Sequence, residues 1–166
     1  MLSAMVCKAA IIGFYDSMGD TAVDFVLKQT KMHTLFISKE YLSKLLVMRG
    51  NGQATHIKNI VLFDSEEDSE ITALKAQAMS NQIRVLTLDE VCEAGRTTTD
   101  VQLHPEAVSR DDIYMLNYTS GTTGDSKGVK VSHWAILTSA ILFEEIGRLT
   151  EDDVIIDYLP APHVFD

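Results

Sequence analysis

Residues 118–129, YTSGTTGDSKGV, hold the densest chemistry in the chain: Gly121, Gly124 and Gly128 alternate with the hydroxyls of Thr119, Ser120, Thr122, Thr123 and Ser126, beside one ammonium, Lys127. Glycine opens backbone angles closed to other residues and lets the main chain approach a ligand. Hydroxyls add donors. A compact set of N–H groups, hydroxyls and one ammonium meets the oxygens of a polyphosphate without a broad basic surface. The chain has no such surface: its 166 residues carry 14 Lys and Arg against 24 Asp and Glu, a formal charge of −10. That balance opposes general attraction to nucleic acid or anionic membrane, so an anion site must be local. Composition alone reads the stretch as a solvated Gly/Ser/Thr connection, and the order of its residues favours phosphate. Neither Gly121 nor Gly124 opens a G-x-x-x-x-G-K-[ST] string and no GxGxxG is present, so the sequence gives no support to a P-loop NTPase or a nicotinamide dehydrogenase.

Other candidates carry less. Cys7 and Cys92 lack companions at metal or disulfide spacing. The acidic run 65–70 has no calcium-loop spacing and reads as a solvated helix start. His33, His56, His104 and His133 receive no role, and His133 follows a candidate N-cap, Ser132. Trp134, Leu137 and Ile141 fall at helical spacing and are expected to face a core. No apolar run approaches the ~20 residues of a membrane span, and the first ten residues have the wrong order for a secretory signal.

The elements that must position the loop follow from periodicity. Short β-branched runs alternate with helix-like stretches, predicting an α/β fold: a parallel or mostly parallel sheet with helices on both faces. Strands are expected at 10–15, 33–37, 59–63, 83–86, 112–118 and 153–159, with a short returning strand at 129–131. Helices are expected at 21–29 behind an Asp20 cap, from Ser38 to the Gly50–Gly52 breaker, through Ser80, at 88–93, and from Ser132 through Gly147. The polar stretch 95–106 reads as a linker or long surface loop. The strands are expected to form one sheet, with the loop leaving a strand's carboxyl end, where open α/β sheets place ligands.

The string TSGTTGDSKG resembles the signature loop of the adenylate-forming (AMP-binding) superfamily, usually [ST]SGTTGxPKG, with Ser126 in place of the usual proline. Two further stretches resemble the eukaryotic-type long-chain acyl-CoA synthetases within it: GFYDSMGDTAVDFVL at 13–27 and YLPAPHVFD at 158–166, where Ala161, Pro162 and Asp166 depart from the family pattern. The resemblance implies that residues 1–166 are an internal part of the large N-terminal AMP-binding domain, without the C-terminal domain, of a long-chain fatty acid–CoA ligase, and inactive alone. It implies ATP, Mg²⁺ and coenzyme A, with a fatty acid as substrate. Thr119, Ser120, Gly121, Thr122, Thr123, Gly124 and Lys127 would contact ATP, Lys127 catalytically and Thr119 also as a Mg²⁺ ligand. His163 would lie beside the acyl carboxylate. The resemblance places the protein on the cytoplasmic side, any membrane attachment being carried by other segments. The alternative is a non-catalytic nucleotide-binding or partner-binding product of the same family.

Overall fold

The computed structural model describes residues 2–64, 69–99, 107–119, 126–148, 150 and 152–154. The chain divides into two compact units, Met1–Met18 with Gln102–Asp166, and Gly19–Val101. The second boundary falls inside the polar stretch expected to be a linker; the first has no such mark in the sequence.

The continuous unit holds α2 (Asp20–Thr30), β2 (Thr34–Ile37), α3 (Lys39–Gly50), β3 (Asn59–Leu62), α4 (Ser69–Ser80), β4 (Arg84–Thr87) and α5 (Leu88–Thr97). Its three strands pair in parallel in the order β2-β3-β4. Parallel neighbours need crossovers, which α3 and α4 supply, and these two helices pack on each other. Ile60, Val61 and Leu62 of the central strand are buried, as a run covered on both faces requires. On β2 burial alternates, and Phe36 stands 55 % exposed, its ring 6.2 Å from that of Phe63. Leu42, Leu45 and Leu46 of α3 bury the stripe their spacing predicts.

Helix starts here use partners the sequence conceals. Ser38 is the N-cap of α3 without a side-chain bond, and the Asp64 carboxylate accepts from Lys39 N at 2.6 Å instead. Asp20, expected as a cap, is the first helical residue of α2 and pairs with Lys44 at 2.7 Å. Thr87 and Glu90 form a reciprocal capping box at the start of α5, which runs four residues past its expected end at Glu93.

The other unit holds α1 (Leu2–Val6), β1 (Ile11–Ile12), β5 (Ile113–Thr119), β6 (Lys127–Ser132) and α6 (His133–Gly147). Its strands form a second three-stranded sheet, β1-β5-β6, with β1 parallel and β6 antiparallel to β5. The described strands thus lie in two sheets where one was expected, because pairing partners far apart in sequence decide sheet membership. The α/β class stands. Helix α6 starts and stops as its caps predict, with Ser132 Oγ accepting from Ala135 N at 3.2 Å. Its apolar residues do not reach a core: Trp134, Leu137 and Ile141 are each about half exposed. No helix of the described residues is long and apolar enough to cross a membrane.

Candidate functional site

Strands β5 and β6 bracket the Gly/Ser/Thr run. Their ladder sets Thr119 opposite Lys127, Tyr118 opposite Gly128, Asn117 opposite Val129, Leu116 opposite Lys130 and Met115 opposite Val131. The returning strand therefore begins at Lys127, two residues before the expected 129, because composition marks Lys127 and Gly128 as loop while the ladder takes them up. Facing residues of an antiparallel pair share one face with Cβ atoms about 4.5–5.5 Å apart. The Thr119 and Lys127 side chains thus leave the hairpin on one face where β5 ends. Both are exposed, and among the described residues Lys127 has no carboxylate partner.

The opposite end of the hairpin is anchored. The Lys8 ammonium pairs with the Asp112 carboxylate at 3.0 Å and donates to the Ala107 carbonyl at 3.3 Å. The same carboxylate accepts from Ser109 N at 2.9 Å, and the Asp112 carbonyl accepts from His133 N at 3.0 Å. Ser109 N–H and the Lys8 charge hold the Asp112 carboxyl below the usual carboxylate range. Between Ile113 and Met115 the ladder carries a bulge, and Tyr114 there is buried with its ring 5.5 Å from His133. Arg110 lies 5.1 Å over the Trp134 ring and accepts from Trp134 N through its carbonyl. His133 is thus a helix-start residue with a packing role.

Of the residues singled out from the sequence, Thr119 and Lys127 are brought together. Ser120, Gly121, Thr122, Thr123, Gly124 and His163 lie outside the described residues, as does the strand expected at 153–159 beyond Val154. Gly128 departs from its expected role. Its backbone is not left-handed, Gly52 being the positive-φ glycine of the described residues, and what it supplies is room for the Tyr118 ring. Tyr118 ends the strand expected at 112–118, and nothing in its type or spacing marks this contact. Burial pushes its phenol up.

The fold is that of an α/β protein whose parallel strands are joined by helices. Matched over residues 1–166 by the family described as AMP-binding enzyme, the chain belongs to that family. It is 27 % identical over 157 residues to long chain acyl-CoA synthetase 8 of Arabidopsis thaliana, covering 94 % of this chain and 21 % of that protein. Against long chain acyl-CoA synthetase 4 of the same plant it is 29 % identical over 174 residues, covering 100 % and 25 %. Against long-chain-fatty-acid–CoA ligase 5 of Mus musculus it is 26 % identical over 174 residues, covering 100 % and 24 %. The chain thus spans no more than a quarter of the length of these curated relatives.

Among solved structures, the A-PCP didomain of carboxylic acid reductase from Segniliparus rugosus in complex with AMP aligns with a TM-score of 0.69 at 22 % identity, covering 82 % of this chain and 20 % of that one. ATP-bound MatB from Rhodopseudomonas palustris aligns at 0.57 and 20 % identity, covering 98 % and 29 %. At such identities the likeness establishes the fold, that of the adenylation domains.

Proposed function

We propose that residues 1–166 form part of the N-terminal adenylation domain of an ATP-dependent long-chain fatty acid–CoA ligase. The observation that carries this is the placement of Thr119 opposite Lys127 where β5 ends, bracketing Ser120, Gly121, Thr122, Thr123 and Gly124. The names of the curated relatives support the acyl substrate, and the family supports the use of ATP.

In this reaction a carboxylate oxygen attacks the α-phosphorus of ATP and the bond to pyrophosphate breaks, giving acyl-AMP; the thiol of coenzyme A then displaces AMP to form the thioester. Negative charge grows on the departing pyrophosphate. The Lys127 ammonium, with the hydroxyls and N–H groups that the residue types of 119–124 supply, would neutralise that charge. Thr119, with its hydroxyl exposed at the strand end, would hold Mg²⁺, which supplies further charge neutralisation at the phosphates. His163 would orient the acyl carboxylate.

The test is protection of Lys127 from acetylation by Mg²⁺ and ATP, joined to pyrophosphate release from ATP and palmitate. Protection at Lys127 with palmitate-dependent release is the expected result for the complete enzyme. Absence of protection would remove the phosphate site. Because the 166 residues span no more than a quarter of their relatives, nucleotide binding without turnover is the reading favoured for this chain taken alone.

A further inference from the structure

A Cβ built on Gly128 would lie 3.0 Å from Cζ and 3.3 Å from both Cε atoms of Tyr118, tighter than nearly all real Cβ contacts, so the ring would have to give by a few tenths of an ångström. At Gly19, Gly50, Gly52 and Gly95 the same addition meets nothing within 4 Å. Gly128 is therefore a glycine because an aromatic ring occupies the space its side chain would fill. Tyr118, directly opposite it, is only 6 % exposed although the next residue, Thr119, is exposed. Glycine weakens a strand, and in the described sheet β6 is an edge strand, where pairing is least secured. A ring laid across from a facing strand compensates for such a glycine.

Register is what this contact protects. Side chains alternate between faces, so a slip of one residue would carry Lys127 to the face away from Thr119. We propose that Tyr118 and Gly128 form a steric lock that positions Lys127: the ring seated on bare backbone fixes the register in which Lys127 faces Thr119 on one side of the hairpin. The proposal rests on the reading of Lys127 as a phosphate contact. Tyr118 acts through Lys127 and need not touch nucleotide. This differs from the usual argument for glycine in such a run, that backbone must approach the ligand, and the two make opposite predictions for a paired substitution.

The experiment uses the chain with Gly128→Ala, Lys127→Ala, the pair of these, and Tyr118→Val with Gly128→Ala. Equilibrium dialysis with radiolabelled ATP and Mg²⁺ gives affinity, and amide hydrogen exchange over 127–132 without nucleotide gives register. Gly128→Ala is expected to weaken ATP binding about tenfold through overpacking, and adding Lys127→Ala should then cost nothing more. Tyr118→Val in the Gly128→Ala background should return affinity to within about threefold of the parent, and restore exchange protection lost in Gly128→Ala. Multiplicative losses for Gly128→Ala and Lys127→Ala, or no recovery in the paired variant, would overturn the lock. Should the parent bind no ATP, the phosphate reading falls, and exchange alone decides whether the ring holds the register; unchanged exchange in Gly128→Ala overturns it.

Discussion

Lys127 and Asp24 show opposite uses of a charged residue. Lys127 is exposed at a strand start without a carboxylate partner among the described residues, so its charge is available to a ligand and nearly idle in the fold. Lys127→Ala should weaken ATP binding at least about tenfold through loss of a charge-assisted contact, while thermal unfolding changes by no more than about 0.5 kcal/mol, as at other exposed positions. Parallel loss of both would mean the lysine serves the fold. Asp24 is buried, 2.6 Å from the Lys28 ammonium and accepting from Ala54 N at 3.2 Å. Burial works against its charge, and the bonds to Lys28 and Ala54 outweigh that and hold its pKa below the ordinary value. Ala54 is itself left-handed at φ 49°, and its carbonyl accepts from Arg49 at 2.9 Å, so the carboxylate pins a strained turn. For a depressed carboxylate the stabilisation is present above the unfolded pKa and lost as pH falls through the folded one. Asp24 and Asp112 both have that sign, so stability should drop below about pH 4. Asp24→Asn should flatten the fall seen in urea melts across that range; an unchanged profile would show that other carboxylates govern it.

Elements whose boundaries depend on adjacent residues were legible in the sequence. The start of α6 behind Ser132 and its end at Gly147 need only local cap chemistry, and the stripe of α3 needs only its period. Elements that depend on distant partners were not. Nothing near Lys39 announces that Asp64, twenty-five residues on, would accept its N–H, and nothing in β1 announces pairing with β5 across a hundred residues. The site divides the same way. The residue types at 119–128 show in the sequence which groups are on offer, but the Tyr118 ring on Gly128 arises only once two strands face each other. The box at Thr87 is local, yet Thr87 falls between the strand expected at 83–86 and the helix expected at 88–93, and it serves both as the last residue of β4 and as the cap of α5. Thr87 is fully buried, accepting from Glu90 N at 3.2 Å while Glu90 accepts from Thr87 N at 2.6 Å. Glu90 also pairs with Lys75 of α4 at 2.9 Å, so the cap joins two helices. Thr87→Ala should cost about 1–2 kcal/mol, with Thr87→Ser recovering most of it. A loss under 0.3 kcal/mol in denaturant titration would show that burial around the site, not the cap, holds α5.

At the scale of the whole chain the feature that stands apart is α6. Its sequence HWAILTSAILFEEIG is apolar nearly all round, a pattern that belongs to helices enclosed on every side. It contacts β5 and β6, yet Leu142 is 49 % exposed, Phe143 63 % and Ile146 83 %. The expected core-facing stripe of Trp134, Leu137 and Ile141 fails for the same reason: three strands do not present enough surface to enclose a fifteen-residue apolar helix. Large contiguous apolar surface is what monomeric soluble proteins ordinarily keep from water. The net charge of −10 opposes association, but short-range apolar burial outweighs charge once salt screens it. The 166-residue chain should therefore bind a hydrophobic dye in its native state and sediment faster as protein and salt concentrations rise. Leu142→Glu with Ile146→Lys should reduce both responses with little change in the far-ultraviolet dichroism, since neither side chain is buried. Strong dye binding that survives this double substitution would place the exposed surface elsewhere, for which the face of Phe36 and Phe63 is the next candidate, and Phe36→Lys in the same background would show it.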